Sequence, residues 1–369
     1  MFCIASFIVL LVLSAVSAKY RPLLKKGWHC VSRRVTFRPC DTTFREEVKT
    51  TLLARVAVSR PRLVKPLSGL IEVGAWTMVV SMVVTAYVVV IGGLNLLAFG
   101  TCNRHAPESC DFGAAACGIA VEEPTFWGSL TQGDVIGAFR NEWNAVGDIV
   151  AALPNRFRNW DVANYTTPYA SFNGGYVPGR PMALEVIDPG CGFCAQLYAN
   201  MMEAGFSDSY NVTYVLFPIT RDGGFEFANS MLTAQYLTAV QIVEREANNG
   251  QPVDNPTDWY MLQQIFVGPP GAPVGRQLWL NEMATPDQAV DQFHEWMLSN
   301  GMSPEQVQLV DELANSQRVA DLLERSREIV TNEIRTVHIP TLIVDGHRLQ
   351  RGLVSVEDLI SFRDSVEAG

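Results

Sequence analysis

Two cysteines separated by two residues, Cys191 and Cys194, are the residues whose types and spacing point most directly to chemistry. They follow an apolar stretch and a Pro-Gly turn, and they begin a segment predicted to form a helix that ends at Gly205. The free N–H groups and dipole of a helix start stabilise a thiolate, so Cys191 is expected to ionise more readily than an ordinary thiol. Cys194 lies one turn later, where it could attack a mixed disulfide on Cys191 and release the product.

The predicted elements around these cysteines favour redox chemistry over metal binding. Residues 182–187 are predicted to form a strand and residues 210–219 a second one, so the motif lies in a strand–helix–strand unit. In that setting Cys-x-x-Cys is typical of redox chemistry. Half of a zinc site is the alternative, but it requires further ligands, and no cysteine follows Cys194. The sequence therefore predicts a redox pair that needs no metal or organic cofactor.

A second motif lies near the C-terminus, where Ile339 and Pro340 precede an apolar strand predicted over residues 341–345. Together with Cys-x-x-Cys after the first strand, it resembles the thioredoxin superfamily. The resemblance implies that the bond before Pro340 is cis and that Pro340 faces the disulfide. It also implies that Ile339 and Pro340, with the inter-cysteine residues Gly192 and Phe193, contact the substrate. A proline that merely begins a strand is the alternative interpretation.

Residues 226–335 carry apolar residues at helical spacing, with Ser, Thr and Pro near the predicted helix starts. A helical insertion at this place is similar to the DsbA-like branch of the superfamily, and the resemblance covers about residues 180–369. The fold class expected is α/β, a thioredoxin-like fold with an inserted helical subdomain, preceded by a transmembrane helical hairpin. The Gly192-Phe193 dipeptide departs from the Pro-His of strongly oxidising members.

Glu185 is a carboxylate inside an otherwise apolar strand, six residues before Cys191. A central parallel strand is covered on both faces, so we expect Glu185 to be buried whichever way it points. The resemblance implies a catalytic role, because the family has a buried acid at this position. A desolvated carboxyl group could take the proton of Cys194 during its attack. A solvent-facing strand residue is the alternative interpretation.

Charge is divided sharply along the 369-residue chain. Residues 1–100 contain thirteen Lys and Arg against four acidic residues, and residues 101–369 contain thirty-four acidic residues against fifteen Arg. An acidic surface does not favour a nucleic-acid partner for the larger part. Residues 73–103 are uncharged and include more than the roughly 20 apolar residues that span a bilayer.

The apolar residues 1–18 are interpreted as a first spanning helix or an uncleaved signal anchor, because the basic residues follow rather than precede them. The positive-inside rule then predicts a basic cytoplasmic loop over 19–74 and a second spanning helix over 75–100. Residues 101–180 are expected to be an extracytoplasmic spacer. Residues 181–369 would form the DsbA-like domain, with its helical insertion at about 226–335.

Three more cysteines, Cys102, Cys110 and Cys117, lie just after the second apolar segment. Their spacing lacks a Cys-x-x-Cys clamp, so one local disulfide and a leftover thiol are favoured over a metal site that includes His105. The disulfide is expected to be structural, and disulfides persist outside the cytoplasm.

These features predict an enzyme, a protein thiol–disulfide oxidoreductase held at the cell membrane with its catalytic domain outside the cytoplasm. Its expected partners are cysteine-containing secreted or membrane proteins, a membrane redox partner that recycles the site, and the lipid bilayer. Two alternatives stay open at this point. One is a reductase or isomerase supplied by a membrane electron carrier, and the other is a non-catalytic thioredoxin-fold module for assembly or metal delivery.

Overall fold

The computed structural model describes residues 64–107, 115–121, 123–268 and 275–367, together with positions 22, 25, 28 and 29. The chain divides into two compact units, with the boundary between Ile91 and Gly92. The first expected membrane segment, 1–18, and nearly all of the expected basic loop lie outside the described residues.

The described residues form eight strands and eleven α-helices. The strands are β1 (Cys117–Gly118), β2 (Met182–Ile187), β3 (Asn211–Leu216), β4 (Thr220–Arg221), β5 (Gly224–Phe225), β6 (His338–Ile339), β7 (Thr341–Val344) and β8 (Gln350–Arg351). The helices are α1 (Val64–Phe99), α2 (Phe126–Thr131), α3 (Val135–Phe157), α4 (Gly192–Glu203), α5 (Ser230–Ala247), α6 (Thr257–Phe266), α7 (Gln277–Glu282), α8 (Pro286–Ser299), α9 (Pro304–Ala314), α10 (Gln317–Glu328) and α11 (Val356–Glu367).

Helix α1 is the membrane-segment candidate. Its stretch Trp76–Phe99, 24 residues, is the only helix among the described residues that is long and apolar enough to cross a bilayer. Large apolar side chains along it are exposed, as a lipid-facing surface requires. The helix begins at Val64, within the segment expected to be a loop. Pro66 lies in its first turn, where a proline is tolerated. The described residues therefore contain one candidate span, and a two-helix hairpin is not seen.

The main sheet has four strands in the order β3-β2-β7-β8. Strand β2 is parallel to β3 and antiparallel to β7, which in turn is antiparallel to β8. Apolar residues dominate β2 and β3, and every residue of the two strands except Met182 is buried. Helix α4 supplies the crossover that two parallel neighbouring strands need. Gly205, in the left-handed region with φ of 61°, follows the end of α4.

Helices α5 to α10 and a six-residue π-helix, Ile329–Ile334, occupy the region between β5 and β6, where a helical insertion was expected. Helix α5 is the buried centre of this group and lies against α6, α9 and α10. Helices α8 and α9 each begin with a capping box and a proline at the first helical position, the pattern that marks helix starts in the sequence.

The region expected to be a spacer, 101–180, is part of the folded domain. Trp160 is 3% exposed and exchanges backbone hydrogen bonds with residues 346 and 347, after β7. The side chain of Asn155 donates to the carbonyl oxygens of Glu333 and Ile334 at 2.9 and 3.1 Å. This differs from a separate spacer because Trp160 and Tyr165 are buried in the same apolar core as the residues of β2, β3 and β7.

Candidate redox site

Cys191 is the N-cap of α4, with the extended backbone typical of that position. Its N–H donates to the carbonyl of Asp188 at 3.0 Å, and its own carbonyl accepts from the N–H of Cys194 at 3.0 Å. Both sulfur-bearing residues are 0% exposed. The turn and helix start therefore place the two cysteines one turn apart, on the buried side of α4.

Cys191 forms a disulfide with Cys117, 74 residues earlier, and Cys194 is a free, buried thiol. The disulfide of this state thus differs from the Cys191–Cys194 pair expected from the motif. It also gives Cys117 a distant partner rather than one of its neighbours. Cys102 is disulfide-bonded as well, and Cys110 lies outside the described residues.

The residues before β7 lie against Cys191. The peptide bond between Ile339 and Pro340 is cis, and the Cys191 sulfur lies 3.6 Å from the carbonyl oxygen of Ile339. Ile339 is fully buried, whereas Gly192 and Phe193 are exposed, the latter to 38%. The structure brings the four residues expected to contact substrate to the same end of the sheet and α4, with one apolar side chain open to solvent.

Glu185 lies in the central strand β2, opposite Tyr214 on β3 and Leu342 on β7, and is 1% exposed. Burial raises the pKa of Glu185 well above its ordinary value. Among the described residues, its Oε1 atom has no hydrogen-bond partner. A carboxyl group in this environment holds its proton to higher pH and can exchange it with a nearby group.

The Cys194 thiol is electrostatically coupled to Glu185. Burial raises the pKa of Cys194 well above the ordinary thiol value, the charge of Glu185 raises it further, and the Asp188 charge adds to this. A hydrogen bond from the Asp188 backbone acts in the opposite direction. Cys194 is therefore held as a thiol, and it needs a proton acceptor before it can attack a disulfide.

Asp188 fixes the turn between β2 and α4. Its carboxylate accepts from the N–H of Gly190 and from the N–H of Ile219, both at 2.7 Å, and from the hydroxyl of Ser230. Burial raises the pKa of Asp188 to about 6 against these hydrogen bonds. A single buried carboxyl group thus ties the turn before α4 to the segment after β3 and to the start of α5.

Helix α7 of the insertion holds the same turn from the other side. The Gln277 amide donates to the carbonyl oxygens of Pro189 and Cys191 at 2.8 and 3.0 Å, and the Asn281 amide donates to Gly190 at 2.9 Å. Gly190 is required, because a Cβ there would lie 2.3 Å from the ring of Phe227. Three backbone carbonyls in a row are thereby fixed.

Sequence reasoning missed the roles of Cys117, Asp188, Gln277 and Asn281. The number of cysteines after residue 101 carried a signal for Cys117: there are five, so a local pair and a Cys191–Cys194 pair leave one without a partner. No local pattern marks an amide on a helix almost ninety residues away as a ligand of this turn. Among the described residues, no group of three or more His, Cys, Asp or Glu side chains could hold a metal ion.

Solved structures with a similar arrangement share little sequence with this chain. The thiol-disulfide exchange protein alpha-DsbA2 from Wolbachia pipientis is 13% identical with a TM-score of 0.37, and the match covers 56% of this chain and 94% of that chain. A thioredoxin-like oxidoreductase from Silicibacter pomeroyi DSS-3 is 16% identical with a TM-score of 0.36, over 56% of this chain and 98% of that chain. The catalytic domain of Proteus mirabilis ScsC is 13% identical with a TM-score of 0.36, over 56% of this chain and 94% of that chain. The chain matches no protein-family model and no curated protein.

Proposed function

We infer that this chain is a thiol–disulfide oxidoreductase in which Cys191 exchanges disulfides with cysteine-containing protein substrates and Cys194 resolves the mixed disulfide. The observation that carries this proposal is the disulfide on Cys191 at the start of α4, with a free thiol at Cys194 one turn away. A disulfide and a thiol within one helical turn are the reactants of an exchange.

The surrounding groups support a division of labour between the two cysteines. Cys191 occupies the helix N-terminus, where a departing or attacking thiolate is stabilised. Cys194 is buried and electrostatically coupled to the Glu185 carboxyl group, which can accept its proton as it attacks. The carbonyl oxygen of Ile339, before Pro340, lies 3.6 Å from the sulfur of Cys191, and Phe193 at the start of α4 is 38% exposed, which supports contact with a peptide substrate.

We further propose that the apolar part of α1 anchors this chemistry at the outer face of a membrane. The support is the length and apolar composition of Trp76–Phe99, with basic residues before it and an acidic, cysteine-containing domain after it. Substrates would then be secreted or membrane proteins, and a membrane partner would recycle the site.

Single-cysteine variants of the full-length protein test the exchange. Cys191→Ser is expected to abolish oxidation of a reduced dithiol peptide, because it removes the attacked sulfur. Cys194→Ser is expected to accumulate a mixed disulfide with that peptide, visible as a mass increase under non-reducing conditions. Cys102→Ser serves as the control that alters another disulfide-bonded cysteine. Wild-type turnover by Cys191→Ser would refute the assignment.

A non-catalytic alternative has an observation in its favour, because Cys191 is fully buried in a disulfide that joins two distant segments. If that bond is purely structural, its potential should fall below about −300 mV, where the glutathione pool does not reduce it. Equilibration of the protein with glutathione buffers, followed by acid quenching and thiol counting, distinguishes a structural bond from an exchanging one.

A further inference from the structure

The segment 115–121 lies beside Cys191 as a short strand that pairs with β6. Strand β1 pairs antiparallel with β6, with Cys117 opposite Ile339 and Gly118 opposite His338. The pairing continues on one side, where the N–H of Ile119 donates to the carbonyl of Val337 at 2.8 Å. Cys117 therefore reaches the reactive sulfur as part of a short added strand.

The contacts of this segment are of a kind that any extended peptide could make. Its sequence is Ala-Ala-Cys-Gly-Ile-Ala-Val, in which no side chain other than that of cysteine carries a polar atom. The hydrogen bonds to β6 and to the loop after β8 are made by the backbone, such as Leu353 N–H to Ala115 carbonyl at 2.9 Å. The apolar side chain of Ile119 also packs against the core. Among the described residues, the Cys117–Cys191 bond is the only disulfide between the segment and the site. Backbone pairing supplies affinity, and the cysteine supplies the chemistry.

On these grounds we propose that Cys117 is a third redox cysteine, carried on a substrate strand that the chain supplies to its own active site. The proposal rests on the exchange chemistry of Cys191 and Cys194 set out above. The disulfide with Cys191 closes the site, and its displacement by Cys194 opens the site for an external cysteine.

The opening step balances without an external oxidant. Cys194 loses its proton to the Glu185 carboxylate and attacks the sulfur of Cys191. The bond between Cys117 and Cys191 breaks, a Cys191–Cys194 bond forms, and Cys117 leaves as a thiolate that takes up one proton. One disulfide replaces another, so the closed and open forms have the same oxidation level. The closed form stores the oxidising disulfide with the Cys191 sulfur out of solvent.

A tethered strand competes with external substrate through its high local concentration. Effective concentrations of tethered groups are on the order of 1 mM, so a peptide at about 10 µM is outcompeted by about a hundredfold. Occupation of the site by the chain's own strand raises the apparent KM for external peptides by the reciprocal of the open fraction. The maximal rate at saturating peptide is unaffected.

The first experiment maps disulfides in the full-length protein in detergent, by non-reducing digestion and mass spectrometry after acid quenching. The wild type is expected to contain the Cys117–Cys191 link, and after incubation at pH 8 also the Cys191–Cys194 link with a free Cys117 thiol. Cys194→Ser is expected to keep the Cys117–Cys191 link throughout. The absence of that link from both proteins would overturn the proposal, whatever the activity of the enzyme.

The second experiment measures peptide oxidation. Cys117→Ser is expected to lower KM for a reduced dithiol peptide by about tenfold or more, with kcat unchanged. Cys102→Ser, which alters another cysteine in the region before β1, is expected to keep the wild-type KM. An unchanged KM in Cys117→Ser would make the bond a static disulfide and refute the proposal. If no variant oxidised peptide, the proposed enzymatic function would fail, and the disulfide map would still decide the internal exchange.

A backbone variant tests the strand without touching sulfur. Ile119→Pro removes the N–H that donates to Val337, and Ile119→Ala keeps it. The proline variant is expected to shift the disulfide population toward Cys191–Cys194 more than the alanine variant does. Equal populations in the two variants would show that strand pairing does not hold Cys117 at the site.

Discussion

At the scale of single residues, the buried pair of Glu185 and Cys194 determines how the resolving step depends on pH. Both pKa values are raised by burial, so the thiol needs a proton acceptor. Glu185→Gln keeps the shape and removes that acceptor. We expect release of peptide from the Cys191 mixed disulfide to slow by about a hundredfold, the lower range of general acid–base effects. Quenched-flow measurement of the mixed-disulfide lifetime checks this.

The pH profile of the same variant separates proton transfer from a packing effect. The wild-type rate is expected to rise with pH as Glu185 loses its proton, and the variant should lose this rise. The other ionisable groups coupled to this pair are Asp188, which acts on Cys194, and Tyr198, whose pKa is raised by burial and by Glu185. Glu203→Gln, at the exposed end of α4, is the control for the loss of one carboxyl group. A wild-type rate at every pH in Glu185→Gln would exclude a proton-transfer role.

Stability provides a second readout for Glu185. Its pKa in the folded state lies above the ordinary 4.5, so the group favours folding below pH 4.5 and loses that contribution as pH rises toward the raised pKa. Glu185→Gln removes this loss. The free energy of unfolding of the variant relative to wild type should therefore increase with pH, with a limiting slope of about 1.4 kcal/mol per pH unit.

Single residues were predictable where local pattern and chemistry coincide. Cys191, Cys194 and Pro340 stand in short motifs, and the burial of Glu185 follows from its central strand. Cys117 was recognised as one of several cysteines, yet its partner was not, because a disulfide across 74 residues depends on the folded path of the chain. The role of Asp188 was not predicted, because two of the three groups that donate to its carboxylate, the N–H of Ile219 and the hydroxyl of Ser230, are more than thirty residues away in the sequence.

At the scale of elements, helix α7 positions the active-site turn through two amide side chains. Replacing Gln277 and Asn281 together by Ala removes three hydrogen bonds to consecutive carbonyls. We expect a loss of about 1 kcal/mol of unfolding free energy for each hydrogen bond removed. Faster hydrogen exchange of amides 189–195 should accompany it, measured by mass spectrometry.

The matched control for this prediction is Leu278→Ala, because Leu278 is 64% exposed on the same short helix. That variant should leave the exchange of residues 189–195 at the wild-type rate. Equal protection in the double variant and in the control would show that the turn is held by its own β2 and α4 neighbours and that the insertion contributes nothing to it.

Elements with strong local signals were predicted well and elements defined by packing were not. The strands over 182–187 and 211–216 show as apolar runs, and α8 and α9 show as proline-led capping boxes. The two-residue strand β1 has no periodic signal at all. Residues 101–180 resemble a linker in composition, but Trp160 and its neighbours bury against the sheet, which only the tertiary structure determines.

At the scale of the whole molecule, the uneven charge predicts the orientation of the chain in a membrane. All thirteen basic residues of the first hundred lie between Lys19 and Lys65, before the apolar part of α1, and the following region is acidic. Basic segments are retained on the cytoplasmic side. Both parts contain many sites for trypsin, so protection of either one is informative.

We expect trypsin added outside intact cells or spheroplasts to degrade the region after residue 101 and to spare residues 19–74. Tags at the two termini, read by immunoblotting, would follow each part, and permeabilised cells would show that the protected part is cleavable. N-terminal sequencing of the untreated protein shows whether residues 1–18 have been removed. Cleavage after residue 18 would remove the first expected membrane segment and leave α1 as the candidate anchor. Protection of the region after 101 in intact cells would place Cys191 in the reducing cytoplasm, where a persistent disulfide with Cys117 is not expected. The orientation measurement therefore also decides whether the closed form of the site can exist in the cell.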